Sequence, residues 1–435
     1  MPHTSPRTAK VLAAATAVVL SATACGSGSG TGTPEAGPAE GTITWYAMPF
    51  GPAGLPEKLV EAFEAAHPEI DVEFQAAPNN TDTVRSTLTT EISGGSSSVD
   101  VYNGDVVWPA QFGQASLALS VDDYLPADFW ERFAEGRAEG TEYAGSHVAV
   151  PLFTDQGFLV YRQDLLEQAG LPVPTTWEEL RETAKRLQDS GAVEHGYVAQ
   201  WANYEGLTVN WTEFAADADT SILNPDATEA AIDSPESLRA LEFMRSLIEE
   251  GVTPAATTTF QEQQAQQLFT SGGAAFLRNW GYAYGDANDP EVSEIVGKVG
   301  ITTLPTFEGQ QPPGYSAVGG WNLMINPHTD NLGATMAFVE WMTGPQAQRI
   351  LAENSMIPAV ADVLNDPELQ AANPVLAAAA QTRLISRPSA TPEYPRISQS
   401  VYTNVNAALT GTTAPATALA EAQARINDAV SGDTL

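Results

Sequence analysis

The sequence predicts an α/β protein built from two regions of alternating strands and helices. Three observations predict it. From Thr42 onward, apolar residues switch between a period of two and a period near 3.6, and a second alternation of the same kind begins near Pro151. The chain has 435 residues, 43% of them hydrophobic, enough apolar material for two or three separate cores.

The elements follow in order. Ile43-Thr44-Trp45-Tyr46 reads as a strand, and Leu55, Leu59, Val60 and Phe63 recur at helical spacing until His67-Pro68 stops them. Ile70, Val72 and Phe74 alternate as a second strand. Val84, Leu88 and Ile92 mark a helix closed by Gly94-Gly95, and Val99 to Tyr102 is a third strand. Strand-helix-strand-helix-strand at this spacing predicts a parallel sheet with crossover helices. Ligands of such sheets sit beyond the carboxyl ends of the strands, here the segments 46–51, 78–82 and 103–108. In the second region Phe158 to Tyr161 is a strand and Leu165 to Ala169 starts a helix ended by Gly170. Thr176 caps another helix with Glu179 as its reciprocal partner. Ser234-Pro235 opens a long helix ended by Gly251, and 298–304 and 322–325 read as strands.

The amino terminus has its own grammar. His3, Arg7 and Lys10 precede an almost uncharged apolar run from Val11 to Ala24, too short for a permanent membrane span and right for a secretory signal. It ends in Ala22-Thr23-Ala24-Cys25, the pattern of a lipobox, which predicts cleavage before Cys25 and acylation of its thiol. Ordinary cleavage with Cys25 left free is the alternative. Residues 26–41 (GSGSGTGTPEAGPAEG) carry no large apolar side chain and form a leash with an end-to-end distance of roughly 20–25 Å.

Charge narrows the function. With 19 Lys+Arg against 54 Asp+Glu the net charge is −35, which repels nucleic acid and anionic lipid and favours a monomer with a neutral or cationic ligand. One Cys excludes an internal disulfide and a Cys-based zinc site, and the five His residues are too scattered for a metal cluster. Phosphate-loop, zinc-protease and serine-hydrolase motifs are absent. No cofactor is called for. Aromatic residues instead stand beside carboxylates, amides and glycines: Asp105 with Trp108, Trp201 with Tyr204-Glu205, Arg278-Asn279-Trp280, and Gly319-Gly320-Trp321. Sugars need this mixture, since their hydroxyls pair with planar polar groups while their C–H faces lie on rings.

The succession of lipobox, Gly/Ser leash, ITWY, SVDVYNGDVVWPAQF, VAVPLFTDQGFLVYRQDLL, PTTWEEL, FLRNWGYAY, VGGWNLMIN and RPSATPEYPRIS resembles the extracellular solute-binding proteins of carbohydrate ABC importers, above all their trehalose/maltose-binding branch. The resemblance covers essentially the whole mature chain. It implies a type II periplasmic-binding-protein-like fold, with hinge-joined lobes closing on a sugar. One lobe is expected at 42–151 plus about 302–345, the other at 152–301 plus about 346–435. It implies a non-catalytic receptor on the outer face of the cell membrane, held by the Cys25 lipid and delivering a disaccharide such as trehalose or maltose to a permease.

Residues carry over motif by motif. Asp105, in NGDVVW, matches a carboxylate that accepts sugar hydroxyls, with Trp108 in support. Asp155, in LFTDQG, falls on the hinge side. Glu262 matches a carboxylate of the second lobe, and Trp280, in RNW, a stacking ring. Gly319, Gly320 and Trp321, in VGGWNL, match a loop whose backbone nears the ligand, and Arg387, in SRP, a late donor to sugar oxygens. Each has a plainer reading. Glu262 would serve as the capping-box carboxylate of Thr259, Gly319-Gly320 as a turn, Arg387 as the partner of a surface carboxylate, and Trp280 as core. The segment 48–51 lacks the obvious polar contact of its relatives. Three other functions compete: a secreted, lipid-anchored glycoside hydrolase using two of these carboxylates, a binding protein for a different small solute, and a binding protein coupled to a signalling receptor.

Overall fold

The computed structural model describes residues 36–432. Cys25, the signal segment and most of the leash lie outside them. Among the described residues no helix is long and apolar enough to cross a membrane.

The first alternation folds as predicted, with longer strands. Gly41–Ala47 pairs in parallel with Ile70–Ala76 on one side and Val101–Asp105 on the other, and helices Leu55–Ala66 and Thr81–Ser93 make the crossovers. Asn80 opens the second helix, its side-chain oxygen accepting from Thr83 N at 2.9 Å. The sheet is not wholly parallel. Gly319–Ile325 enters beside Val101–Asp105 and runs antiparallel to it and to Val150–Asp155, and Ile357–Pro358 forms the edge beyond. Side-chain alternation sends Ile43, Trp45, Val101 and Leu323 into one buried layer and Tyr46, Tyr102 and Met324 into another.

A second, four-stranded sheet has the order Val299–Thr302, Phe158–Arg162, Ala274–Asn279, His195–Val198. Helix Trp177–Asp189 carries the predicted capping box of Thr176 and Glu179, and helix Gln163–Ala169 ends at Gly170 in the left-handed region. Helices Pro235–Glu249, Tyr394–Leu409 and Pro415–Val430 share this lobe's core with Trp177, Trp201 and Trp211.

Two expected lobe limits move. Leu304 and Phe307 are buried with Trp177 and Phe214, so the chain returns to the first lobe near Tyr315 and not at 302. Leu351, Met356, Ile357, Leu369 and Val375 are buried with Ile43 and Trp45, so 346–379 packs in the first lobe and the last crossing falls after it. The crossings are short. Gln156-Gly157 joins Val150–Asp155 to Phe158–Arg162, and a parallel two-stranded ribbon pairs Tyr315–Ala317 with Arg383–Ile385.

Candidate functional site

Topology collects the candidates at one sheet edge. Val101–Asp105 and Val150–Asp155 point the same way, so Asp105 and Asp155, each the last residue of its strand, stand at the same end. The antiparallel strand between them begins there, placing Gly319 opposite Asp155 and Trp321 opposite Asp105. In the other lobe Ala274–Asn279 delivers Trp280 to the facing edge, and helices Glu205–Asp217 and Glu262–Thr270 begin beside it. Between the two edges lies a cavity of about 480 Å³, within the usual size of a small-molecule site. All eight candidates line it: Asp105, Asp155, Gly319, Gly320 and Trp321 from one lobe, Glu262 and Trp280 from the other, and Arg387 from the segment after the ribbon.

The plainer readings resolve individually. Gly319 and Gly320 form neither turn nor loop; they are the first residues of a strand. Space is tight at both. A Cβ on Gly319 would stand 2.5 Å from the Trp280 ring, and one on Gly320, at φ +116, would stand 2.4 Å from the Phe153 carbonyl oxygen. Glu262 is not the capping-box carboxylate, because the Thr259 hydroxyl donates to Ala256 O and Gln264 accepts from Gln261 N. Trp280 and Trp321 are half-buried, with faces left to the cavity. Trp201 is fully buried core. Trp108 is buried too, stacked on Phe112 at 5.2 Å and meeting Trp321 edge-on at 5.8 Å, so it supports the wall from behind. The segment 48–51 contributes Met48, Pro49 and Phe50, an apolar wall.

Arg387 pairs with buried carboxylates and not with the surface. Its Nη1 donates to Glu205 Oε1 at 2.6 Å, and its Nη2 to Asp105 Oδ1 at 3.3 Å and to the Val318 carbonyl at 3.1 Å. Glu205 also accepts from the Ser398 hydroxyl at 2.5 Å and from the Tyr394 hydroxyl. Burial raises both Asp105 and Glu205, with the Arg387 charge opposing it in each. Burial alone would lower the Arg387 guanidinium, but the charges of Asp105 and Glu205 outweigh it and hold it protonated.

Asp155 has no ion pair among the described residues. Its Oδ1 accepts from Gln156 N at 2.8 Å and Gly281 N at 3.0 Å, and burial still pushes its carboxyl up to about 7. Below Trp280 lies the Arg278 guanidinium, 4.5 Å from the ring centroid. Arg278 is fixed by Glu213 through two bonds of 2.5 and 2.9 Å, both residues being almost wholly buried.

The sequence reading omits Glu205 as a site residue, although it names Tyr204-Glu205 in an aromatic–acid cluster; both line the cavity. It also omits Gln266, Tyr282 and Asp286, which complete the second lobe's wall, Gln266 donating to Asp286 at 2.5 Å. Gln266 and Asp286 are polar helix residues with no local mark of a site. Among the described residues no group of three metal-ligating side chains converges.

The family model described as bacterial extracellular solute-binding protein matches residues 51–349. A Deinococcus radiodurans protein named a probable ABC transporter-binding protein is 32% identical over 359 residues, covering 80% of this chain and 84% of its own. Among solved structures, maltose-bound T. maritima MalE3 superposes with a TM-score of 0.82 at 32% identity, covering 88% of this chain and 98% of its own. An ABC transporter solute-binding protein of Agrobacterium radiobacter K84, in complex with ribitol, gives 0.77 at 27% identity, with 90% and 100% covered. The chain belongs to the bacterial extracellular solute-binding proteins and has their two-lobed fold.

Proposed function

We propose that the cleft binds a neutral disaccharide such as trehalose or maltose, and that Cys25 anchors the protein by lipid to the outer face of the membrane. The single observation that carries the reading is the cleft's composition. Carboxylates at two strand ends, Asp105 and Asp155, line one cavity together with half-buried tryptophans drawn from both lobes. The carboxylates accept sugar hydroxyls, Trp280 and Trp321 carry ring faces, and the apolar wall of Met48 and Phe50 excludes water. A hydroxyl of the wrong geometry leaves a buried polar group unpaired at about 1–3 kcal/mol, so hydroxyl pattern sets selectivity. Lobe closure then presents the loaded form to the permease. Capture without turnover is supported by the relatives, which are named as transport binding proteins and not as hydrolases.

A second reading, a polyol or monosaccharide ligand, is favoured by the ribitol complex of the 27% identical relative. Calorimetric titration of the protein from residue 26 against trehalose, maltose, sucrose, monosaccharides and ribitol separates these. One-to-one binding with the sugar recovered intact is expected, and Asp105→Ala and Trp280→Ala each weaken it at least tenfold without unfolding. Turnover of the sugar, or no binding across the panel, would overturn the reading.

A further inference from the structure

A second, smaller cavity of about 110 Å³ lies beside the cleft and shares only Phe153 and Arg387 with it. Its walls come from strand Val150–Asp155, the residues after Val101–Asp105, the stretch 136–140 and the segment 386–389.

Its chemistry is lopsided. Arg137 Nε, Arg387 Nε and Thr154 Oγ1 all belong to residues lining it, and all three atoms are buried without a hydrogen-bond partner. Thr154 and Arg387 are only 3% and 4% exposed. Buried donors in this state are rare in native proteins. The other polar side chains of the wall are Asn322, Ser386 and Ser389, and no carboxylate lines it. That is unexpected in a chain with 54 acidic and 19 basic residues. Arg137 in particular has no ion pair among the described residues, and burial alone acts on its guanidinium. The Nη1 and Nη2 of Arg387 are engaged by Glu205, Asp105 and the Val318 carbonyl, so its Nε is the donor that remains.

We propose that this cavity binds a small monovalent anion, a halide or a formate-sized oxyanion, held between the Nε groups of Arg137 and Arg387 with the Thr154 hydroxyl completing the shell. Size fixes the class. The cavity is smaller than the ~150 Å³ hole that takes a benzene ring, so no sugar ring enters it. Exposed Gly136, Gly140 and Ser386 form a mouth to solvent. The negative field of the rest of the chain is screened beyond about 10 Å at 0.1 M salt. The proposal does not rest on the identity of the cleft ligand.

The test is thermal unfolding of the sugar-free protein at constant ionic strength, with sodium gluconate, too large for the cavity, replaced stepwise by sodium chloride, bromide or formate. For at least one small anion a saturable rise in Tm of about 1 °C or more is expected by about 0.2 M. Arg137→Gln removes the rise, and bromide-soaked crystals of the wild type show an anomalous peak between Arg137 and Arg387. Identical Tm values in gluconate and all three small anions, or an undiminished rise in Arg137→Gln, would overturn the proposal. If that variant fails to fold, the wild-type series and the bromide peak decide it: a peak with a saturable rise sustains the site, and absence of either removes it.

Discussion

Asp155→Asn separates what the cleft needs from what the fold prefers. The carboxyl's Oδ1 accepts from Gln156 N and Gly281 N, and an amide oxygen accepts both bonds equally well. Only the charge is lost. Folding raises the carboxyl from its ordinary 3.8 to about 7, chiefly through burial. The sign follows from proton binding. Between pH 3.8 and about 7 the folded state keeps a proton that the unfolded chain releases, so this group lowers stability as pH rises through that window and by a constant amount above it. At about 1.4 kcal/mol per tenfold, the full effect is about 4 kcal/mol. Between pH 5 and pH 8 it grows by roughly 2.5 kcal/mol. Asp217, also raised to about 7 by burial, titrates in the same window, so the difference between variant and wild type, and not the wild-type profile, isolates Asp155. Denaturant unfolding of the sugar-free proteins from pH 5 to pH 8 measures it. The variant is expected to be the more stable at pH 8, with an advantage that shrinks toward pH 5, while its sugar affinity falls. A gap that stays flat with pH, or a wild type more stable at pH 8, would show that folding does not raise the Asp155 carboxyl.

Three further perturbations test neighbouring parts. Gly319→Ala puts a methyl 2.5 Å from the Trp280 ring, where 3.5–4.0 Å is comfortable, and Arg278 blocks retreat on one side. A cost of about 1–3 kcal/mol, or sugar affinity weakened roughly 5- to 150-fold by calorimetry, is expected. Glu213→Gln leaves the Arg278 charge buried and uncompensated, so unfolding experiments should show a loss of about 3–5 kcal/mol together with weaker binding as Trp280 loses its base. Asp82, on helix Thr81–Ser93 of one lobe, accepts from Glu205 N at 3.2 Å, at the start of a helix of the other. Asp82→Ala removes that acceptor, worth about 0.5–2 kcal/mol, so small-angle scattering should show a more open sugar-free protein and affinity should fall a few-fold.

Much of this site is written locally. Asp105 is legible because a short apolar run ends in a carboxylate where the crevice rule places ligands, Asp155 only through the family resemblance of LFTDQG, and the caps at Thr176 and Gly170 follow from neighbours a few residues away. What the sequence hides is set by contacts across the chain. Gly319-Gly320 looks like a turn, and only the Trp280 ring and the Phe153 carbonyl explain two glycines inside a strand. Glu205 looks like an ordinary first-turn acid, since its partners Arg387, Tyr394 and Ser398 lie more than 180 residues away. The lobe limits at 302 and 346 fail for the same reason, because whether Leu304 or Leu351 joins one core or the other depends on packing partners that no local period encodes.

Arg387 shows why a late, isolated arginine matters to a cleft built from earlier segments. It joins Asp105, at the edge of the six-stranded sheet, to Glu205, at the first turn of a helix in the opposite lobe, while its Nη2 also donates to Val318 beside the crossing ribbon. One guanidinium therefore serves two carboxylates, both raised by burial, and separating the lobes removes it from at least one of them. An open form must return that carboxylate to water, and a closed form must bury it again. A ligand that donates a hydroxyl to Asp105 lowers the second step and leaves the first untouched. On the proposed function, preference for the closed state comes from the same side chains that would contact the solute, which is the differential interaction that any ligand-driven closure requires.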